Sequence, residues 1–312
     1  MIENLCVILG DQLSPNISSL KGFKKNQDEI LMMEVFNEAE YANHHKKKLV
    51  LVFSAMRHFA KELQNRGFSV KYSKINESKE DFTKELVYQC KKIHPKRVVI
   101  THPGEYRVLQ EVKKWKRILN IPVTIIEDDR FFCTIDEFKK WAEGRKELRM
   151  ELFYQMMRKK YNILIDKNGK PKGGKWNYDI KNRKSLPKNH PEIPTPLKHK
   201  PDNITRQVVT EVKKKFPKHF GNLEPFWFAV THDQARKSLN DFIKNRLEMF
   251  GPYEDAMAQE QSFVYHSVLS MYLNLGLLEP KQIIDKVLEK DRIKVESVEG
   301  FVRQILGWRE YI

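Results

Sequence analysis

The chain has 312 residues, enough for two hydrophobic cores, and its 40% hydrophobic and 31% charged residues give a globular profile. No apolar run approaches the roughly 18 residues that span a bilayer, and the opening MIENLCVILGDQLS reads as a first strand, not a signal peptide, so a cytoplasmic protein without a membrane partner is expected. The net charge of +16 is unevenly placed: 18 Lys/Arg against 5 Asp/Glu lie between Arg158 and Phe220, and 39 against 36 elsewhere. A lysine-rich genome would spread the excess evenly. Its concentration points to a polyanionic partner, the alternative being a solvated linker.

Six strands are expected in the first 130 residues: Leu5–Leu9, Ile30–Val35, Leu49–Phe53, Val70–Tyr72, Val98–Thr101 and Val123–Ile126. Amphipathic stretches at Glu38–Lys47, Ala55–Arg66, Lys79–Lys92 and Tyr106–Leu119 separate them as helices. Such alternation predicts a doubly wound α/β domain with a parallel sheet, ligands sitting beyond the carboxyl ends of its strands. A helical stretch from Ile135 to Tyr161 leads into a polar, proline-bearing linker from Asn162 to Asp202. Beyond it strand signals vanish, and helices are expected at 204–216, 232–248, 255–274, 280–290 and 296–310. The organisation is therefore an α/β domain over 1–130, a helical connector and basic loop over 131–202, and an all-α part over 203–312. The last helix, VEGFVRQILGWREYI, runs apolar to the final residue without a Gly or Pro stop, so the chain reads as cut short of its C-terminal end.

Several constellations carry chemistry. Gly10 and Asp11 stand in the turn after the first strand, where an α/β domain binds its ligand. Glu38, Tyr41 and His45 fall on adjacent rows of one helix, a face able to hold a heteroaromatic ligand or simply a polar surface. HHKKK lacks the spacing of a zinc site. Glu105-Tyr106-Arg107 and the segment from Arg149 to Arg158 mix charges with aromatics and methionines, as core packing or a seam would. Ser267 and Ser270 at a helix start suit a phosphate or an ordinary cap, and Arg303, Trp308 and Arg309 suit a planar cofactor or nucleic acid. Cys6, Cys90 and Cys133 show neither CxxC nor Cys/His spacing, so buried thiols are expected.

Taken in order, LGDQLS, EVFNEAEYANHHKKK, FSAMRHFAKEL, PGEYRV, LRMELFYQMMRKKYNIL, GKPKGGKWNYDIKNRK, FGPYEDAM, YHSVLSMYLNLGLL and EGFVRQILGWREY resemble the bacterial iron–sulfur branch of the photolyase–cryptochrome family, the (6-4) photolyases and photolyase-related proteins. The resemblance covers essentially the whole chain. It implies an α/β antenna domain followed by an all-α flavin domain, here incomplete. A 6,7-dimethyl-8-ribityllumazine antenna is implied near Gly10, Asp11, Glu38, His44, His45, Val52 and Ser54, and FAD near Ser267, Ser270, Asn274, Arg303 and Trp308. Glu151, Asp179 and Asp255 fall in motifs near the lesion site, where Mg2+ is implied, and Lys181, Arg183 and Lys184 in a loop beside damaged DNA.

The implied mechanism is photochemical. The antenna absorbs blue light and passes excitation to reduced FAD, an electron reaches the damaged pyrimidine pair, the linkage breaks and the electron returns. The four cysteines of the family's 4Fe–4S cluster have no counterpart here, and a monomer inactive on its own is expected. The rival readings are a cryptochrome-like blue-light receptor without repair and a basic nucleic-acid-binding module without catalysis.

Overall fold

The computed structural model describes every residue except Met1, Pro191 and Asp291. The chain forms two compact units. One comprises Met1–Asp129, Lys198–Gln234 and Asn274–Leu277; the other comprises Arg130–Leu197, Ala235–Leu273 and Leu278–Ile312.

In the first unit the strands are β1 (Asn4–Ile8), β2 (Glu29–Met33), β3 (Val70–Ser73), β4 (Arg97–Thr101) and β5 (Val123–Ile126). All pair in parallel, in the order β3-β2-β1-β4-β5. NLCVI and EILMM are apolar on both faces and bury nearly every residue, as a sheet covered on both sides requires. The crossovers carry α1 (Phe36–Glu40), α2 (Lys46–Asn65), α3 (Phe82–Ile93) and α4 (Tyr106–Leu119). The strand order reverses at β1, so a crevice opens beyond the carboxyl ends of β1, β2 and β4. This is the expected doubly wound α/β architecture.

Two local expectations are corrected. Leu49–Phe53 is not a strand but the second turn of the 20-residue α2. LVLVF has no decisive period of its own, and the helix is set by the longer pattern in which Leu49, Val50, Phe53, Met56, Phe59 and Leu63 are all buried. Nor does one helix run from Glu38 to Lys47. α1 stops at Glu40, and His45 starts α2 afresh by accepting a bond from Lys47 N at 3.0 Å. Gly221 has a positive φ of 82°, and the His45 ring fills the space a side chain there would need.

The helices then continue as α5 (Ile135–Ala142), α6 (Met150–Tyr161), α7 (Asn203–Lys215), α8 (His232–Asn245), α9 (Leu247–Phe250), α10 (Ser270–Leu275), α11 (Pro280–Leu288) and α12 (Val295–Val302), with a π-helical turn over Arg303–Arg309. α7 belongs to the first unit and packs on α2. The stretch expected as one helix from Ile135 to Tyr161 breaks at Gly144, whose φ is 72°. Most of 255–274 is irregular rather than helical. Ala256, Val264 and Tyr265 form a small core with Ile193, and Val264 and Val268 adopt positive φ. The run 232–248 breaks at Arg246, whose buried guanidinium bonds Thr195 O at 3.2 Å and Asp241 at 2.8 Å.

The stretch expected as a linker begins pinned. Arg158, fully buried, donates to three backbone carbonyls: Ile163 at 3.2 Å, Leu164 at 2.6 Å and Trp176 at 2.7 Å. It therefore holds the start of the loop and does not add to a basic face.

Candidate functional site

The turns that follow β1, β2 and β4, closed by α1 and α2, enclose a cavity of about 310 Å3 in the first unit. Gly10 lets α2 come close: a Cβ there would meet Val52 Cγ1 at 3.1 Å and Met56 Sδ at 3.2 Å. The depth of the cavity is apolar, walled by Leu9, Met33, Val35, Leu49, Phe53 and Met56. Polar groups gather towards solvent. Asp11 lies beside Gly104, with a carboxylate oxygen 3.5 Å from where a Cβ at 104 would stand. Arg107 binds Glu38 through both Nη atoms, at 2.8 and 2.7 Å, and Glu105 through Nε at 2.9 Å. The same guanidinium lies 4.4 Å over the Tyr41 ring. Tyr41 meets His44 edge-on at 5.1 Å. Burial, then Lys48 and His219, push the His44 imidazole below its ordinary pKa, which keeps it neutral at pH 7, and Lys48 Nζ donates to its Nδ1 at 3.2 Å.

Of the residues expected at the antenna, Gly10, Asp11, Glu38, His44 and Val52 line this cavity. His45 and Ser54 do not. His45 caps α2 with its ring edge against Phe220, and Ser54 is wholly buried with an Oγ that makes no hydrogen bond. Asn274, expected at the flavin, lines this cavity instead. The adjacent Leu275 carbonyl accepts from Leu13 N at 2.8 Å, which holds the segment there. Glu34 also lines the cavity but is engaged behind it by Arg57, Tyr72 and the Ile75 amide.

In the second unit Arg303 lies among carboxylates at ion-pair distance, although its buried Nε and Nη2 make no hydrogen bond. Its Nη2 lies 3.4 Å from Asp179 and 3.6 Å from Glu254, and its Nε 3.4 Å from Glu299. Burial raises Glu254 to about 7, although Arg303 works against the rise. Asp179 also pairs with Arg183, whose Nε is 3.8 Å from Asp255, and Glu151 accepts from Gln155 at 3.3 Å. The three carboxylates expected around Mg2+ are thus occupied by side chains. Among the described residues no group of three or more His, Cys, Asp or Glu is placed to hold a metal ion.

Ser267 is half-buried, Ser270 is exposed at the start of a six-residue helix, and Trp308 is 42% exposed on the π turn. Lys181 pairs with Glu296 at 2.6 Å, and the Lys184 amide donates to Pro252 O at 3.0 Å. Glu254 and Glu299 were missed in the sequence. Only the i, i+4 spacing of Glu299 and Arg303 signalled a pairing.

A parallel sheet of this order with a helical unit is the architecture of photolyases and cryptochromes. The chain superposes on a bacterial class III photolyase from Agrobacterium tumefaciens with a TM-score of 0.62 at 14% identity, covering 100% of this chain and 58% of that one. It superposes on the cryptochrome of Synechocystis sp. PCC6803 with a TM-score of 0.60 at 14% identity, covering 100% and 61%. Residues 6–228 match the family described as deoxyribodipyrimidine photo-lyase-related protein. Over 320 aligned residues, covering 100% of this chain, it is 43% identical to the (6-4) photolyase of Agrobacterium fabrum (strain C58 / ATCC 33970), of whose length it spans 62%. The chain belongs to the deoxyribodipyrimidine photo-lyase-related family.

Proposed function

We propose that this chain serves light-driven, FAD-dependent repair of (6-4) pyrimidine photoproducts in DNA, and that its α/β unit holds a ribityl-lumazine antenna. The observation that carries the reading is the cavity beyond β1, β2 and β4: apolar in its depth, polar at its mouth, and lined by five of the seven residues expected at such a pigment. Its volume suits a small heteroaromatic ligand. Bound there, the pigment would supply blue-light absorption and excitation transfer.

The protein's own part is to hold and shield. Val52 and Met56 would pack on the ring, Asp11 and Glu38 would accept hydrogen bonds from hydroxyls, and neutral His44 and Asn274 offer further polar contacts. The flavin expectation fits the geometry less well. Arg303 faces three carboxylates at 3.4 to 3.6 Å, Asn274 lies in the α/β cavity, and Ser267, Ser270 and Trp308 are partly or largely open to solvent. These side chains supply part of a flavin site, and no chemical step is assigned to them. Apart from the buried Arg158, the basic stretch up to Phe220 supports DNA as the partner, by phosphate neutralisation.

The test has two arms. The purified chain is titrated with 6,7-dimethyl-8-ribityllumazine and followed by fluorescence, and a duplex carrying a defined (6-4) lesion is illuminated with blue light in the presence of chain and reduced FAD. Saturable pigment binding supports the antenna. Absence of binding rejects it. Repair of the lesion by a preparation containing this chain, lost when the chain is omitted, supports the enzyme; because the chain supplies only part of a flavin site, bound pigment without repair supports the antenna alone.

A further inference from the structure

We infer that the α/β cavity selects an uncharged polyol chain on its ligand and rejects the phosphorylated form of the same ligand; this rests on the antenna reading above. The charges at the mouth are mostly negative. Three carboxylates stand there, Asp11, Glu38 and Glu105, with Glu34 buried and paired behind the cavity, while Lys48 is the only Lys or Arg among the described residues lining it. The two guanidiniums nearby are already engaged. Arg57 is turned away from the cavity, holding Glu34 and Glu211. Arg107 commits Nη1 and Nη2 to Glu38, Nε to Glu105 at 2.9 Å and Nη2 again to Glu105 at 3.3 Å, and its face lies on Tyr41. Lys48 Nζ gives one of its three donors to His44 Nδ1 and, among the described residues, is the one cation at the mouth that these carboxylates do not pair.

Ionised carboxylates are acceptors only, so they match hydroxyl donors. For Arg107 to grip a phosphate, which brings acceptors and about two negative charges, Glu38 or Glu105 would have to be displaced and would then lie beside it, with Lys48 alone to offset three carboxylates. The polar end of the ligand must be the end at the mouth, because the depth of the cavity is apolar. Glu38 and Glu105 are the specificity-determining pair: they neutralise the one guanidinium that would grip a phosphate. The neighbouring Asp11 adds a third negative charge on the same side.

The experiment compares the affinities of 6,7-dimethyl-8-ribityllumazine and its 5′-phosphate by fluorescence titration at low and at high salt. The wild-type chain should bind the unphosphorylated compound about ten-fold or more tightly at low salt, with the gap narrowing as salt screens the mouth. Glu105→Gln, which removes one charge and loosens Arg107, should narrow the gap at low salt by strengthening the phosphate's binding. Arg107→Ala should not. Equal affinities, or a preference for the phosphate, would overturn the selectivity while leaving the antenna reading standing. Binding of neither compound would overturn both.

Discussion

Arg57 holds Glu34 by a two-pronged bond, Nε to Oε1 at 2.7 Å and Nη2 to Oε2 at 2.9 Å, with side-chain exposures of 6% and 0%. The remaining donor side of Arg57 reaches Glu211 on α7, so one guanidinium ties the turn after β2 to α2 and α7. Tyr72 OH and Ile75 N complete the Glu34 carboxylate at 2.6 and 2.9 Å. Losing one partner leaves a buried charge without compensation. Arg57→Ala should cost about 3–5 kcal/mol in urea unfolding, whereas the apolar pair Arg57→Met with Glu34→Leu should recover a large part of it. A single-variant loss under about 1 kcal/mol would show that water reaches Glu34 and replaces the guanidinium.

Val52 tests the cavity directly. Its Cγ1 stands 3.1 Å from where a Cβ on Gly10 would be, so the wall there is already close-packed. Val52→Trp should fill the space and abolish lumazine fluorescence in the bound form, at an overpacking cost of about 1–3 kcal/mol. Pigment retained at wild-type affinity by a folded Val52→Trp chain would place the antenna elsewhere.

The three candidate DNA-binding residues start from different states. Lys181 is paired with Glu296 and Arg183 with Asp179, while the backbone of Lys184 is tied to Pro252. Phosphates therefore compete with carboxylates at two of the three. Removing Lys181, Arg183 and Lys184 together should flatten the slope of log affinity against log salt by about 0.9 for each phosphate no longer neutralised. Glu296→Gln should raise affinity by freeing Lys181. An unchanged slope in the triple variant would assign these residues to folding of the loop alone.

Glu254 makes the second unit sensitive to pH. Burial is the main cause of its rise from 4.5 to about 7, helped by Asp255 and Glu299 and opposed by Arg303. Between those two values the folded state binds more protons than the unfolded state, so stability should fall as pH rises from about 4.5 through 7 and then level off. Glu310, also raised to about 7 by burial, acts in the same direction. Glu254→Gln should remove part of the fall in melting temperature between pH 5.5 and 8. If the Glu254→Gln profile superimposes on that of the wild type, Glu254 is ionised throughout.

The order of the α/β unit was legible because it rests on local patterns. Five expected strands match β1 to β5 within two residues, from Asn4–Ile8 to Val123–Ile126. Strands buried on both faces read as short apolar runs, and the same property misled at Leu49–Phe53, where a buried helix produces the same run. The segment from 255 to 269 failed for another reason: its hydrophobic residues suit a helix, but Ile193, distant in sequence, draws Val264 and Tyr265 into an irregular core.

By itself the sequence determined the parallel sheet, the shift to helices and part of the cavity, since Gly10, Asp11 and Glu38 follow strand ends that any doubly wound sheet brings to one edge, whereas Val52 reaches it from α2. Tertiary structure alone decided that Asn274 joins them, that Arg107 is taken up by Glu38, and that Arg303 is enclosed by Asp179, Glu254 and Glu299. Helical and strand periods are written in neighbouring residues, but the partner of a charge is chosen by packing across the fold. A guanidinium is free to bind a ligand only if no carboxylate from a distant part of the chain reaches it first.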